Sequence, residues 1–404
     1  MFALTLPFPW PTDPTTDEAG VVDTGFVAST SMAATPDELI TERLRNQHLM
    51  QPGRRDPVEV VASLGAMQAQ DFPAAKWAVG LRAPGCHNAN IEEAFNSGAI
   101  LRTHVLRPTW HFVVAADIKW LVELSAPRVH AANAYYYKQS GLDAKVFARS
   151  CAMIHRVLEG GQFKTRAELA VALKRAKVPA EGLKLAYIMM SAELDGVICS
   201  GPRRGRQFTY ALLEERAPQA RSLDRPDAIA ELAKRYFTSH GPATIRDFVW
   251  WSGLNVKDAE LGIEALTPAL NKETIDGRDY WTTGPAPARR VRASGPRAGA
   301  QAKGCSALLL PNYDEYLIAY KDRGAVIDSA RAANIVARSN GAFSHHLVID
   351  GRLAGGWTRT VKGTSVLIEV APYKKLTPVQ SRAVMSAADC YGEFLGVPAS
   401  LSIV

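Results

Sequence analysis

GVICSGPRRGRQFTYAL, residues 196–212, reads as two short apolar strands around a tip of arginine and glycine. Two helices come before it. The first opens at Thr165, with Glu168 three residues on. In that pattern each side chain meets the other residue's backbone N–H, which marks a helix start. The helix runs through Leu169 and Leu173. The second carries Leu183, Tyr187, Met190 and Leu194 at spacings of four, three and four, which is one helical face. Two helices and a basic ribbon make a winged helix-turn-helix, a shape that lays a helix in a DNA groove and a wing on the phosphates.

The same pattern is read on either side. Upstream, Thr35-Pro36-Asp37-Glu38 and Asp56-Pro57-Val58-Glu59 start helices expected over 36–50 and 57–67. An apolar stretch (73–82) and a helix (89–98) lead to ILRTHVLRPTWHFVV (100–114), two strands with a bend at Pro108. Downstream, helices are expected over 227–239, 244–250 and 256–266. ETIDGRDYWTT (273–283) follows as a hairpin turning at Asp276-Gly277. From Ser306 short apolar strands alternate with turns such as Asp350-Gly351, and a helix over 377–395 ends the chain. The expected fold class is therefore α+β: three tandem winged helix-turn-helix units followed by a small β-barrel with a helix packed on it.

The predicted organisation is a flexible tail (1–34), winged helix 1 (35–114), linking helices with winged helix 2 (115–225), winged helix 3 (226–284), a basic linker (285–304) and the barrel (305–404). The linker holds Arg289, Arg290, Arg292, Arg297 and Lys303 without an acid. Tyr135, Tyr136 and Tyr137 in the linking helices are expected to pack between helices.

The formal net charge of +7 suits a polyanionic partner without proving one. Five cysteines (86, 151, 199, 305, 390) lie far apart with no CxxC, as expected of reduced thiols in the cytoplasm and not of a disulfide frame or zinc site. His345 and His346 are neighbours, which a strand would point to opposite faces, so no metal site is expected. No apolar run is long enough for a bilayer. The first 34 residues have neither the basic start of a signal peptide nor the arginines of a mitochondrial presequence.

No GxSxG, P-loop or dinucleotide fingerprint occurs. The unusual string is Gly65-Ala66-Met67-Gln68-Ala69-Gln70-Asp71-Phe72, placed where a helix ends. A glutamine does not ionise near neutral pH, but its amide donates and accepts at once and can orient a water. Thr103, Val105, Arg107, Thr109 and His111 share one face of the following ribbon by alternation. His104, Arg107 and His111 are candidate lining residues; for His104 a structural hydrogen bond is the alternative. Arg203, Arg204 and Arg206 on the second ribbon are candidate phosphate contacts, with an exposed basic loop as the alternative. Asp314, Asp322 and Arg323 mark a further acidic and basic string, in which Asp322 with Arg323 reads as a structural bridge.

LGAMQAQDFPAAKWAVGLR (64–82), LRTHVLRPTWHFV (101–113), HGPATIRDFVWWSGL (240–254) and LLLPNYDEYLIAYKDR (308–323), in that order, resemble the winged-helix DNA glycosylases of the AlkZ/YcaQ superfamily. The likeness spans about 36–400 and implies the same three winged helices and barrel. It also implies a catalytic motif of Gln, an apolar residue, then Gln or Asp. Here that is Gln68-Ala69-Gln70, with an Ala smaller than the usual residue and a second Gln of the crosslink-unhooking type. By resemblance, Gln68 and Gln70 position the water that attacks the sugar C1′. The chemistry is reasonable, because an alkyl group on N7 makes the base a cationic leaving group that needs no general acid. Positioning alone supplies several kcal/mol. No lysine adjoins the motif, so hydrolysis without strand cleavage is expected.

The function expected is a monofunctional glycosylase for N7-alkylated purines in base excision repair, with crosslink unhooking in its range. It needs no cofactor or metal. The partner is double-stranded DNA with alkylated bases; the chain is expected to be a monomer, cytoplasmic and nucleoid-associated. A non-catalytic regulator or DNA-binding scaffold would use the same winged helices, but would release no base.

Overall fold

Capping chemistry sets the first helices. Thr35 Oγ accepts from Glu38 N–H while Glu38 accepts from Thr35 N–H, and the helix Pro36–Asn46 follows. Asp56 and Glu59 do the same for Pro57–Leu64. This second helix stops earlier than its apolar pattern predicts. Gly65 takes φ +78°, a conformation that side chains resist. The chain turns there into a short strand, β1 (Met67–Gln68). The computed structural model describes residues 35–50, 56–267, 269–283, 305–327 and 344–404. The expected tail over 1–34 and the basic linker over 285–304 lie outside them.

The ribbon forms as predicted, with β2 (Ile100–Val105) and β3 (Thr109–Val114) joined by a bend at Leu106–Pro108. β3 is the centre of a three-stranded antiparallel sheet, flanked by β1 and β2. The 73–82 stretch is a helix, Phe72–Arg82, capped by Asp71.

Two helices, Ile118–Gln139 and Ala144–Leu158, lead to the second unit. There β4 (Lys164–Thr165), the helices Arg166–Arg175 and Gly182–Leu194, β5 (Ile198–Ser200) and β6 (Thr209–Leu212) follow in order. The linking-helix tyrosines divide: Tyr137 is buried against Phe147 and Tyr187, whereas Tyr135 is exposed. The 201–208 loop does not stand free. Phe208 meets the Phe72 ring edge-on at 5.1 Å, and Arg203 N–H donates to Asn96 of the first unit (2.8 Å).

The third unit has helices Arg225–Ser239, Ile245–Ser252 and Val256–Ala265, then the hairpin β7 (Leu270–Ile275) and β8 (Arg278–Thr283). Asp276 and Gly277 both take positive φ (51° and 74°), as its two-residue turn requires.

The C-terminal strands differ from expectation. β9 (Ala307–Leu310), β10 (His346–Ile349), β11 (Arg352–Lys362), β12 (Ser365–Pro372) and β13 (Ala399–Ile403) form one sheet in the order β13-β12-β11-β10-β9. Among the described residues this sheet is open, with β9 and β13 at its edges, and no closed barrel forms. The helix Pro378–Leu395 packs on both edge strands, β9 and β13. That helix also ties the sheet to the first unit. Trp77 Nε1–H donates to Leu309 O (2.7 Å), and its ring lies 4.9 Å from Tyr391 and 5.0 Å from Phe394. Such aromatic pairs contribute roughly 0.5–1.5 kcal/mol each beyond their buried area. One apolar core therefore serves both pieces. The fold is α+β, and Ala34–Val404 is one compact unit.

Candidate active site

The Gln68-Ala69-Gln70 backbone is held from three directions. Gln68 N–H donates to Glu315 Oε1 (2.7 Å). Ala69 N–H donates to Trp110 O (2.7 Å), and Ala69 O accepts from Arg102 Nε–H (2.9 Å). Asp71, next along, caps the following helix and accepts from Asn312 Nδ2–H (3.2 Å). The side chains are treated differently. Gln68 is 8% exposed and Gln70 is half-buried, yet among the described residues neither amide has a hydrogen-bond partner. A fixed backbone thus presents two amides whose donors and acceptors are available to a third party.

Strand pairing decides which ribbon residues join them. Gln68 lies opposite His111, and His111 opposite Thr103. Residues directly opposite share a face and their neighbours point the other way. Gln68, His111 and Thr103 are thus on one face, with Leu101 and Val113, which enter the core shared with the third unit. Met67, Phe112 and Ile100 are on the other, in the core shared with the C-terminal sheet.

His104 falls on that second face, away from Gln68. Its Nδ1 meets Glu193 Oε2 of the second unit, and its ring lies 4.6 Å from Trp110. These contacts are those of the structural alternative. Arg102, on the same face, has its guanidinium 4.1 Å from the Trp110 ring centre and 4.8 Å from Phe208. Burial lowers its pKa to about 10, so it stays charged at neutral pH.

On the Gln68 face, His111 Nδ1–H donates to Thr109 O (2.9 Å), and Nε2 is buried with no hydrogen-bond partner among the described residues. Burial lowers its pKa to about 4, with Arg107 and His104 adding to the effect and Glu315 opposing it. Arg107 sits at the bend, 5.2 Å from the Trp250 ring centre; burial lowers its pKa to about 10 as well, opposed by Glu315. Arg107 and His111 thus both feel the Glu315 carboxylate.

Glu315 is the residue that sequence reasoning missed, although it stands beside Asp314 in the quoted string. It is 1% exposed. Oε1 accepts from Gln68 N–H, and Oε2 accepts from Trp251 Nε1–H (2.9 Å) with His240 Nε2 at 3.7 Å. Burial works against its charge, but His240, His111 and the Gln68 N–H outweigh this, and its pKa falls below the ordinary carboxylate value. The available signal was an acid within an apolar run, DEYLIAY, where a buried carboxylate needs dedicated donors.

The symmetry of Glu315 gives a test. Two N–H groups point at its two oxygens, so Glu315→Gln turns an NH2 against one donor. We expect a loss of roughly 1–3 kcal/mol in stability and slower turnover as β1 shifts, read by thermal melts and base-release rates on one preparation. Unchanged values in both would remove Glu315 from the site.

The second-unit arginines divide. Arg203 lies 5.0 Å from the ring centres of both Phe72 and Phe208 and pairs with Glu92 (3.3 Å). Arg204 pairs with Glu168 (3.0 Å) and donates to Phe163 O. The Arg203 contacts dock the loop, because a guanidinium stacked on aromatic rings beside a carboxylate is already engaged, whereas Arg204 remains exposed in a surface pair. Arg206 is exposed and has no ion pair among the described residues. The expected Asp322–Arg323 bridge does not form: Asp322 pairs with Arg278, and Arg323 Nε–H donates to Leu317 O (2.7 Å). No cluster of three metal-ligating side chains occurs among the described residues, and no described helix is long and apolar enough to cross a membrane.

Three comparisons bear on this arrangement. The interstrand DNA cross-link repair glycosylase of Streptomyces sahachiroi is 26% identical over 343 residues, 81% of this chain and 88% of that protein. The solved structure of the Streptomyces sahachiroi DNA glycosylase AlkZ superposes with a TM-score of 0.75 at 22% identity, covering 92% of this chain and 100% of that one. This likeness speaks to the fold alone. The family model described as DNA glycosylase AlkZ-like matches residues 61–394, which contain Gln68, Gln70, His111 and Glu315. With most of its length inside that match, the chain belongs to the AlkZ-like DNA glycosylase family.

Proposed function

We propose that this protein is a monofunctional glycosylase that hydrolyses the C1′–N9 bond of N7-alkylated purines in duplex DNA, including purines joined across strands. One observation carries the proposal. The Gln68 and Gln70 amides have no hydrogen-bond partner among the described residues, while backbone N–H groups donating to Glu315 and Trp110, and a carbonyl accepting from Arg102, fix the backbone beneath them. Such a pair can hold a water by donating and accepting at once.

The leaving group is already cationic, so the C1′–N9 electron pair returns to the purine and neutralises it. The sugar passes through an oxocarbenium-like state, which a buried carboxylate such as Glu315 favours. No side chain then has to protonate the base. The Streptomyces sahachiroi relative is named for interstrand DNA cross-link repair, which supports including crosslinked bases in the proposed substrate range.

The three helix–helix–ribbon units are read as winged helices that hold the duplex, with the protein acting as a cytoplasmic monomer on the nucleoid. On the second ribbon the phosphate contact falls to Arg206. Arg206→Ala should weaken binding about equally for all sequences and reduce the slope of log K against log salt by about one. Anisotropy titrations at four salt concentrations read this, and an unchanged slope would take Arg206 off the phosphate backbone.

The function is tested on a duplex with a single N7-methylguanine. We expect free N7-methylguanine by mass spectrometry and a strand that breaks only after hot alkali. Base release at the buffer rate would favour a binding protein, and breakage without alkali would exclude a monofunctional enzyme.

A further inference from the structure

The two glutamines can hold a water, but neither can take its proton, since an amide is not a base near neutral pH. When water adds to C1′ a proton must leave, so the Gln68 face needs an acceptor.

We propose that His111 Nε2 is that acceptor, and that His111 is a third catalytic residue beside Gln68 and Gln70. The assignment rests on the function proposed above. Its first support is register. His111 pairs directly with Gln68 across β1 and β3, and opposite residues in such sheets have Cβ atoms about 4.5–5.5 Å apart on the same face. The second is the tautomer. Thr109 O can only accept, so the bond at 2.9 Å places the hydrogen on Nδ1 and leaves the lone pair on Nε2. The third is that this lone pair has no partner among the described residues, although His111 is only 1% exposed. An unpaired buried acceptor costs roughly 1–3 kcal/mol, which a merely structural histidine would avoid by turning its ring.

The electrostatics fit the role. Burial, with Arg107 and His104 nearby, keeps the ring unprotonated before the reaction; the Glu315 carboxylate stabilises the imidazolium once it forms. The step balances. A bond forms between the water oxygen and C1′ while the C1′–N9 bond breaks. The bonding pair leaves with the purine and cancels its positive charge. The water proton moves to Nε2 and is later lost to solvent.

His111→Ala and His111→Gln test this on the full chain, in single-turnover excision of N7-methylguanine. The glutamine can still accept a hydrogen bond but is no base. Both variants should slow excision about 100-fold or more, in line with general-base contributions of about 10²–10⁴, with duplex affinity within about twofold of the parent. Added imidazole should restore part of the His111→Ala rate and leave Gln68→Ala unchanged. Parental rates in either variant would overturn the assignment. So would a lost His111→Ala rate that no added base restores, because that marks a packing role. If His111→Ala does not fold, His111→Gln decides alone. Should the parent protein release no base, the proposed function fails; should it release base with Gln68 dependence but without His111 dependence, only this assignment fails.

Discussion

Gln68→Ala should slow release of N7-methylguanine from duplex DNA by about 100-fold or more, an increase in barrier of about 2.7 kcal/mol, and Gln70→Ala should do much the same. The effect is large because the role proposed for these groups is to position the attacking water. Misplacing an attacking water by about 1 Å costs on the order of 10² in rate. The variants should be otherwise quiet. Neither amide has a hydrogen-bond partner among the described residues, and the backbone contacts to Glu315, Trp110 and Arg102 do not involve the side chains removed. Melting temperature and affinity for undamaged duplex should therefore stay near parental values. Single-turnover rates beside anisotropy titrations check both halves. A parental rate in either variant would remove that glutamine from the chemistry, and a large fall in melting temperature would make it structural.

Breaking the Arg82–Asp314 pair should produce the largest loss of stability. Both side chains are fully buried, and the pair is bidentate: Nη1–H donates to Oδ2 (2.9 Å) and Nη2–H to Oδ1 (2.8 Å). Arg82 also donates to Gln47 Oε1 (3.0 Å), and Gln47 in turn donates to the Tyr320 hydroxyl (2.9 Å). Asp314 caps the short helix Glu315–Ile318 by accepting from Tyr316 N–H (2.9 Å). Removing one partner strands a charge away from water, which costs about 3–5 kcal/mol. Arg82→Met and Asp314→Leu should each lose about that much in denaturant titrations. The double variant should recover a substantial part, because burying two apolar side chains avoids the stranded charge. Additive losses in the double variant would show that the pair is not coupled. Catalysis should fall with stability, since Asp314 sets the helix from which Glu315 reaches Gln68.

Much of this could be read from the chain. Capping pairs at Thr35, Asp56 and Thr165 are local, so helix starts were visible as letters. The Asp276-Gly277 turn and the ribbon over 100–114 depend on neighbours a few residues apart, and they too were legible. Gln68-Ala69-Gln70 could be picked out by type and by resemblance. Where the second helix stops was not, because its apolar run continues past the φ +78° turn at Gly65.

What the sequence determined by itself was therefore local: the α+β class, the helix starts, the hairpin turns, and the Gln68-Ala69-Gln70 string. Tertiary structure alone decided the partners. Sheet pleating put His111 with Gln68 and turned His104 away towards Glu193. The interface with the C-terminal sheet brought Glu315 across 247 residues to Gln68. Docking of the second ribbon engaged Arg203 with Glu92 and two rings, and left Arg204 and Arg206 exposed, Arg204 paired with Glu168. The reason is physical: capping and turn energies depend on residues a few positions apart, whereas burial and ion pairing depend on which distant surfaces meet, and no local pattern encodes that.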